Sequence, residues 1–144
     1  MQVKQIAPGE SLIDAHKVRQ AVFVEEQGFA VAIEMDDLDR TAHHIVVYDS
    51  EENPIATART FPEEAGSDCY MIGRVAVLKP LRGTGIGMFV MDEIEKLAKK
   101  LGARSIKLGS QTQALAFYKK CGYTEYGERF FEEHCEHVYM RKEL

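Results

Sequence analysis

The stretch Tyr70–Leu101, YMIGRVAVLKPLRGTGIGMFVMDEIEKLAKKL, constrains this chain more than any other. Val75-Ala76-Val77-Leu78 is an apolar run of strand length. Lys79-Pro80 ends it, because proline brings no amide to a ladder. Arg82-Gly83-Thr84-Gly85-Ile86-Gly87 follows. From there Ile86, Phe89, Val90, Ile94, Leu97, Ala98 and Leu101 recur at helical spacing, with Asp92/Lys96 and Glu95/Lys99 as i,i+4 pairs in the favourable order. A strand that turns through glycines into a helix start suits an anion. Unpaired amides point at it, missing side chains let its oxygens reach the backbone, and Arg82 adds charge.

Spacing narrows the anion. A Walker A loop needs Lys-Ser/Thr after its last glycine, and Met88-Phe89 stand there instead. A Rossmann turn needs a third glycine at position 88, which is Met, and a second βαβ half that does not follow. What remains is Arg-x-x-Gly-x-Gly behind the strand Arg74-Val75-Ala76-Val77. This resembles the acetyl-CoA signature of the GNAT family of N-acetyltransferases. The resemblance implies that backbone groups of Val75 and Val77, in the strand Val75-Ala76-Val77, align pantetheine and polarise the acetyl carbonyl. It also implies that Arg82 and the amides of Gly83, Thr84, Gly85, Ile86 and Gly87 hold pyrophosphate. The blander alternative, a tight turn needing glycine only for its dihedrals, does not account for the strand, the arginine and the helix together.

At 144 residues the chain reads as one domain with room for a real core, 1–144. No apolar run is long enough for a bilayer and no signal-peptide core is present, so a cytoplasmic protein without membrane contact is expected. Three cysteines without C-x-x-C spacing argue against a disulfide framework. A net charge of −5 without a basic stripe argues against nucleic acid and weakly favours a cationic acceptor. Oligomeric state is silent, which leaves a homodimer open.

Local patterns fill in the order. Gln2–Ile6 alternates as a strand, and Ser11 is the expected N-cap of a helix running to about Val22. His44–Tyr48 and Ile55–Phe61 read as paired strands, with the signature strand next. Gly102 caps the long helix. Ser105–Ser110 is a strand, 113–121 a short helix, and 123–131 and 136–141 close the chain as strands. The expected fold is therefore α/β, a central mixed sheet flanked by helices, and the resemblance makes it a GNAT acyltransferase fold covering nearly the whole chain.

Two further stretches carry chemistry. Phe23-Val24-Glu25-Glu26-Gln27, the acidic run Glu34-Met35-Asp36-Asp37-Leu38-Asp39 and His44 resemble the ElaA-like subgroup of GNAT proteins; composition alone would make the acidic run a solvated loop. An alkyl amine near pKa 10.4 must lose a proton before it attacks, and Glu26 and Glu34 are the candidate bases. Ala114-x-x-Phe117-Tyr118-x-x-x-Gly122-Tyr123 resembles the family segment in which a tyrosine lies beside the coenzyme sulfur, so Tyr118 is the candidate acid. Phe117 and Tyr118 are adjacent on a helix, so one is expected in the core and the other at a cleft. Gly109 stands where the subgroup usually has Asn, and Gln111 is open as its replacement. His44, Arg74 and His137 are candidate acceptor-site residues. His134-Cys135-Glu136-His137 holds metal-binding types, but on a strand the two histidines face opposite ways and no further ligands stand nearby, so no metal is expected. The reading is transfer of acetyl from acetyl-CoA to the primary amine of a small molecule or peptide. The alternative is an acyl-CoA-binding sensor or partner module without transfer activity.

Overall fold

In the computed structural model, which describes residues 1–144, the antiparallel neighbours come first. Strands β1 (Gln2–Ile6), β2 (His43–Tyr48), β3 (Pro54–Pro62) and β4 (Cys69–Val77) pair in sequence order. Helix α3 (Ile86–Lys100) then crosses over to β5 (Ser105–Gln111), which lies parallel to β4. The hairpin β6 (Thr124–Glu132) and β7 (Cys135–Glu143) completes one sheet of order β1-β2-β3-β4-β5-β7-β6.

The long helix packs as its periodicity demands. Ile86, Val90, Met91, Ile94, Leu97 and Ala98 bury against Ile45, Val47, Ala56, Ala58, Ile72, Ile106, Leu108 and Met140 of the sheet. Asp92 and Lys96 form their expected pair at 3.1 Å. Glu95 leaves Lys99 and reaches Lys142 at 2.8 Å and the Tyr123 hydroxyl at 2.8 Å instead, since a partly buried partner across the fold outcompetes an exposed one on the same helix. The opposite sheet face is covered by α1 (Ile13–Arg19), whose Ala15 and Val18 meet Ile6, Val46 and Ala76.

Several boundaries differ from the sequence reading. Leu12, not Ser11, caps α1, and the Ser11 Oγ accepts only a long bond from the Ile13 amide, 3.4 Å. The α-form ends at Arg19 and continues as a π-helix, Gln20–Glu26. The acidic run is ordered as a one-turn helix α2 (Val31–Glu34) and a 3₁₀ turn Asp37–Arg40 rather than a solvated loop. The short helix narrows to α4 (Leu115–Lys120) after a 3₁₀ turn at Thr112–Ala114.

One irregularity sets up the site. Thr57 pairs with Ala76 and Arg59 with Gly73, so Ala58 faces two residues, Arg74 and Val75. This is a β-bulge, and Arg74 takes φ 51°, a conformation costly for a residue with a Cβ. Ile72 and Val75 consequently both pack toward α3 although an unbroken strand would send them to opposite faces. β4 and β5 pair only from Cys69/Ser105 to Met71/Lys107 and then separate. The rest of β4 is left with no strand on that side.

Candidate active site

The gap between the separating strands is a cleft of about 1140 Å³. Ile72–Val77 of β4 form one wall and Leu108, Gly109 and Gln111 of β5 the other. Alternate β4 amides and carbonyls point into it, and without a partner strand they are free to bind an extended ligand as a strand would.

At one end the loop Arg82–Gly87 delivers the chain into α3. Gly85 occupies the N-cap with φ 90° and ψ −3°, and an added Cβ there would meet no atom within 4 Å. The first α3 amides are therefore uncovered and carry the helix's partial positive charge. Gly87 has a different reason to be glycine. A Cβ would come within 3.1 Å of the Phe117 ring, so this residue sets the approach of α4 to α3. The Arg82 guanidinium donates to the Val77 carbonyl at 3.0 Å and takes Glu26 in a bidentate pair at 2.6 and 2.7 Å. That hydrogen bonding, with the Arg82 charge, holds the Glu26 carboxyl below its ordinary value. Glu26, a candidate base, is thus engaged by the arginine meant for pyrophosphate, and its basicity is reduced.

Midway along the cleft, Phe117 and Tyr118 both line it, with ring centroids 5.0 Å apart; neither is the buried core residue expected of one of them. No protein group hydrogen-bonds the Tyr118 hydroxyl. Burial, and secondarily Cys121, push the phenol well above its usual range, so it stays protonated. Across the cleft the Gln111 amide donates to Gln27 Oε1 at 2.8 Å, and His134 Nε2 donates to the Gln27 carbonyl at 2.6 Å. Gln27 therefore ties the π-helical segment to β5 and to the β6–β7 turn. The widened turn of a π-helix, often found at functional sites, is what turns Phe23, Glu26 and Gln27 toward the cleft. Gln111 is present as a polar lining residue, whereas the space over Gly109 is bounded by the Phe130 ring, 3.5 Å from an added Cβ.

At the far end, Arg19 is fully buried and holds together the segment in front of it. It pairs with the Glu34 carboxylate, donates to the Glu34 carbonyl at 2.8 Å, and grips Asp39 at 2.7 and 3.0 Å. Arg59 bonds Asp36 at 2.6 and 2.9 Å and Asp39 at 2.9 Å, and Arg74 donates to the Ile33 and Glu34 carbonyls and to Asp36. Burial pushes Asp39 up, but the bonds and charges of Arg19 and Arg59 outweigh it and hold the carboxyl at about 2. Glu34, the second candidate base, is therefore a salt-bridged floor residue with its Oε2 buried and unpartnered. His137 lines the opposite wall, stacked on Phe130 at 5.7 Å. Its Nδ1 lies 2.9 Å from the Cys135 carbonyl, which can only accept, so Nδ1 carries a proton and Nε2, 3.7 Å from Glu132, is the nitrogen that accepts in the neutral ring.

Comparison with known proteins identifies this arrangement. A family model described as an acetyltransferase (GNAT) domain matches residues 11–144. The chain belongs to the GNAT acetyltransferase family. It is 38% identical over 135 residues to YjcF of Bacillus subtilis, described as an uncharacterized N-acetyltransferase, covering 93% of this chain and 94% of that one. It is 30% identical to ElaA of Escherichia coli over 130 residues, 89% of this chain and 84% of that one. The crystal structure of Escherichia coli ElaA superposes with a TM-score of 0.86 over 99% of both chains. An acyl-CoA N-acyltransferase from Pseudomonas aeruginosa shares the fold at 23% identity and a TM-score of 0.85, over 99% of both chains. Family membership makes this an acyltransferase fold whose chemistry is acyl transfer from an acyl-CoA. No helix is long and apolar enough to cross a membrane.

In this GNAT domain one candidate falls outside the site. His44 does not line the cleft: it is 1% exposed beneath the arginine cluster, with Nε2 donating to the Asp39 carbonyl at 3.3 Å and Nδ1 unpartnered. Its position at the start of an apolar strand is compatible with either face, and the fold turns it inward. Burial pulls its pKa down to about 4, so it is neutral when folded. An unfolded chain, at about 6.5, binds the proton first. Stability should therefore be complete above pH 6.5 and fall as pH drops toward 4, by at most about 3 kcal/mol. Asp39 stays ionised across that window and adds a further loss only between about 3.8 and 2. Urea midpoints at pH 7 and 5 test this, and His44→Gln should flatten the difference.

Proposed function

We propose that the protein transfers the acetyl group of acetyl-CoA to a primary amine by direct attack on the thioester. The observation that carries this is the uncovered edge of β4 running into the uncovered amides of α3, with the unpartnered Tyr118 hydroxyl in the same cleft. Pantetheine would lie along Val75–Val77 as a surrogate strand, and a β4 amide would polarise the thioester carbonyl. The loop from Arg82 to Gly87 would take the pyrophosphate, whose charge competes with Glu26 for Arg82.

The acceptor amine would enter from the end lined by Arg74 and His137. The ammonium first loses one proton to solvent, its freed lone pair then forms the C–N bond as the C–S bond breaks, and the nitrogen sheds a second proton. His137 Nε2 is the acceptor nitrogen on that wall, and Glu132, 3.7 Å away, would stabilise the imidazolium. This role replaces Glu26 and Glu34, whose carboxylates are held by arginines.

Tyr118 would serve the leaving sulfur. A coenzyme thiol titrates near 8.5, below even an unperturbed phenol, so full proton transfer runs uphill and the hydroxyl acts as a hydrogen-bond donor to the thiolate. Such a bond to a charged group contributes about 1.5–3 kcal/mol. Tyr118→Phe should therefore lower kcat by about ten- to a hundredfold with KM for acetyl-CoA nearly unchanged. Equal kcat values in steady-state kinetics would reduce Tyr118 to packing.

The non-catalytic alternative, an acyl-CoA-binding module, draws support from Gly109, where the ElaA-like subgroup usually carries Asn. Thiol release from acetyl-CoA across a panel of amines, polyamines, amino acids and peptides separates the two. Release dependent on an amine supports transfer; coenzyme binding with no release for any acceptor supports the module.

A further inference from the structure

The segment 31–40, VAIEMDDLDR, is folded inside out. Its buried side chains are Glu34 and Asp39, while Val31 (47%), Ile33 (48%), Met35 (37%) and Leu38 (41%) are exposed. Ordinary burial would reverse this arrangement, because apolar side chains gain by leaving water and charges lose. Here three arginines share the three inward carboxylates: Arg19 meets Glu34 and Asp39, Arg59 meets Asp36 and Asp39, and Arg74 meets Asp36 and Glu34. The arginines thus fasten the segment with its apolar side outward, and Ile33 and Leu38 form a lip of the catalytic cleft. Contiguous exposed apolar side chains at a cleft mark what the cleft binds.

The same cleft is also lined by an aromatic cluster. Phe130 lies against Tyr139 at 4.6 Å and against His137 at 5.7 Å. Charge at this end is also asymmetric. Glu34, Asp36 and Asp39 are answered by arginines, whereas Asp37 and, at the β6–β7 turn, Glu132 and Glu133 have no lysine or arginine partner. The surplus at the mouth is negative.

We propose that the acceptor is a small primary amine with an apolar body, aryl or alkyl, rather than a polyamine, an amino sugar or a peptide. The ammonium is drawn by Glu132 and Glu133 toward His137, and the apolar body lies against Ile33 and Leu38 and against Phe130 and Tyr139. This assignment rests on the acyl-transfer reading above. A highly polar acceptor would leave that lip and that cluster in contact with water and gain nothing from them.

The test compares thiol release from acetyl-CoA with 3-phenylpropylamine and n-hexylamine against spermidine, ethanolamine and a tetrapeptide with a free N-terminus. The apolar amines should show kcat/KM about tenfold higher or more, the scale on which apolar pockets discriminate. The double variant Ile33→Ser/Leu38→Ser alters two exposed side chains, so folding is preserved, and it should erase most of that preference. Equal or better use of spermidine, ethanolamine or the peptide overturns the proposal, and so does a preference unchanged in the double variant. Should no acceptor release thiol, the transfer reading fails on its own. Calorimetry on the coenzyme A-saturated protein then decides the inference. Tighter binding of 3-phenylpropylamine than of spermidine upholds it, and the reverse order or equal affinity overturns it.

Discussion

Replacing Arg19 by methionine should destabilise the protein by about 3–5 kcal/mol, the cost of breaking a buried ion pair by removing one partner. Against a typical total of about 5–15 kcal/mol this is a large fraction. Arg19 is fully buried and is the common partner of Glu34 and Asp39, so its loss leaves Glu34 with Arg74 at 3.8 Å and Asp39 with Arg59 and the His16 and His44 rings. Methionine fills much of the volume, which isolates the electrostatic loss from a cavity. Lysine should rescue little, because a single ammonium cannot reproduce the fork that meets Glu34 through Nε and Asp39 through both terminal nitrogens. Urea denaturation of the three proteins is the measurement. A further signature follows from linkage. With Arg19 gone, burial is less opposed at Asp39 and its carboxyl rises from about 2, so less stability is lost as pH falls from about 3.8 to 2 and the gap between variant and wild type narrows there. A stability change under about 1 kcal/mol would mean the cluster tolerates rearrangement and does not anchor the segment.

The sequence was most legible where one physical demand dominates. Helix α3 announces itself because one stripe of Ile86, Val90, Ile94 and Leu97 must be buried, and the glycines before it require backbone freedom at Gly85. The succession of strands along the chain follows from apolar runs and the turns between them, but the place of β7 between β5 and β6 does not. The bulge at Arg74 left no such mark, because one extra residue in β4 changes pairing without changing composition. Yet that bulge and the separation of β4 from β5 create the cleft.

The inverted segment was illegible for a related reason. Reading acidic residues as solvated assumes that no cations wait behind them. Arg19 lies on α1, where a lone arginine in a helix looks like surface, and Arg59 sits in the middle of a strand. Only the fold brings them to Glu34, Asp36 and Asp39. Likewise nothing local distinguishes His44, which is buried beneath the cluster, from His137, which lines the cleft. Gln27 stands out in the sequence only through the family resemblance of its stretch, and its link to Gln111 spans 84 positions.

Gly85→Asp should abolish acetyl-CoA binding while the protein remains folded. At the N-cap of α3 an aspartate carries two opposing effects. It must adopt φ near 90°, a left-handed conformation costing about 1–2 kcal/mol for a residue with a Cβ, least for Asp and Asn. It also caps the helix and favours its dipole, which offsets part of that cost. An added Cβ meets no atom within 4 Å, so the side chain has room to project into the volume the pyrophosphate would use and to accept from the amides the phosphate needs. Its charge then repels the ligand that competes for those amides. Wild-type protein at about 100 times the dissociation constant of acetyl-CoA gains about 2.7 kcal/mol, read as a rise in melting temperature, and the variant should show none. Gly85→Asn supplies the control, since it has nearly the same shape, the same tolerance of left-handed φ and the same capping ability but no charge. It should retain weakened binding, and the gap between Asn and Asp in calorimetry measures the electrostatic part. If acetyl-CoA raises the melting temperature of Gly85→Asp as much as that of wild type, pyrophosphate does not bind at the start of α3.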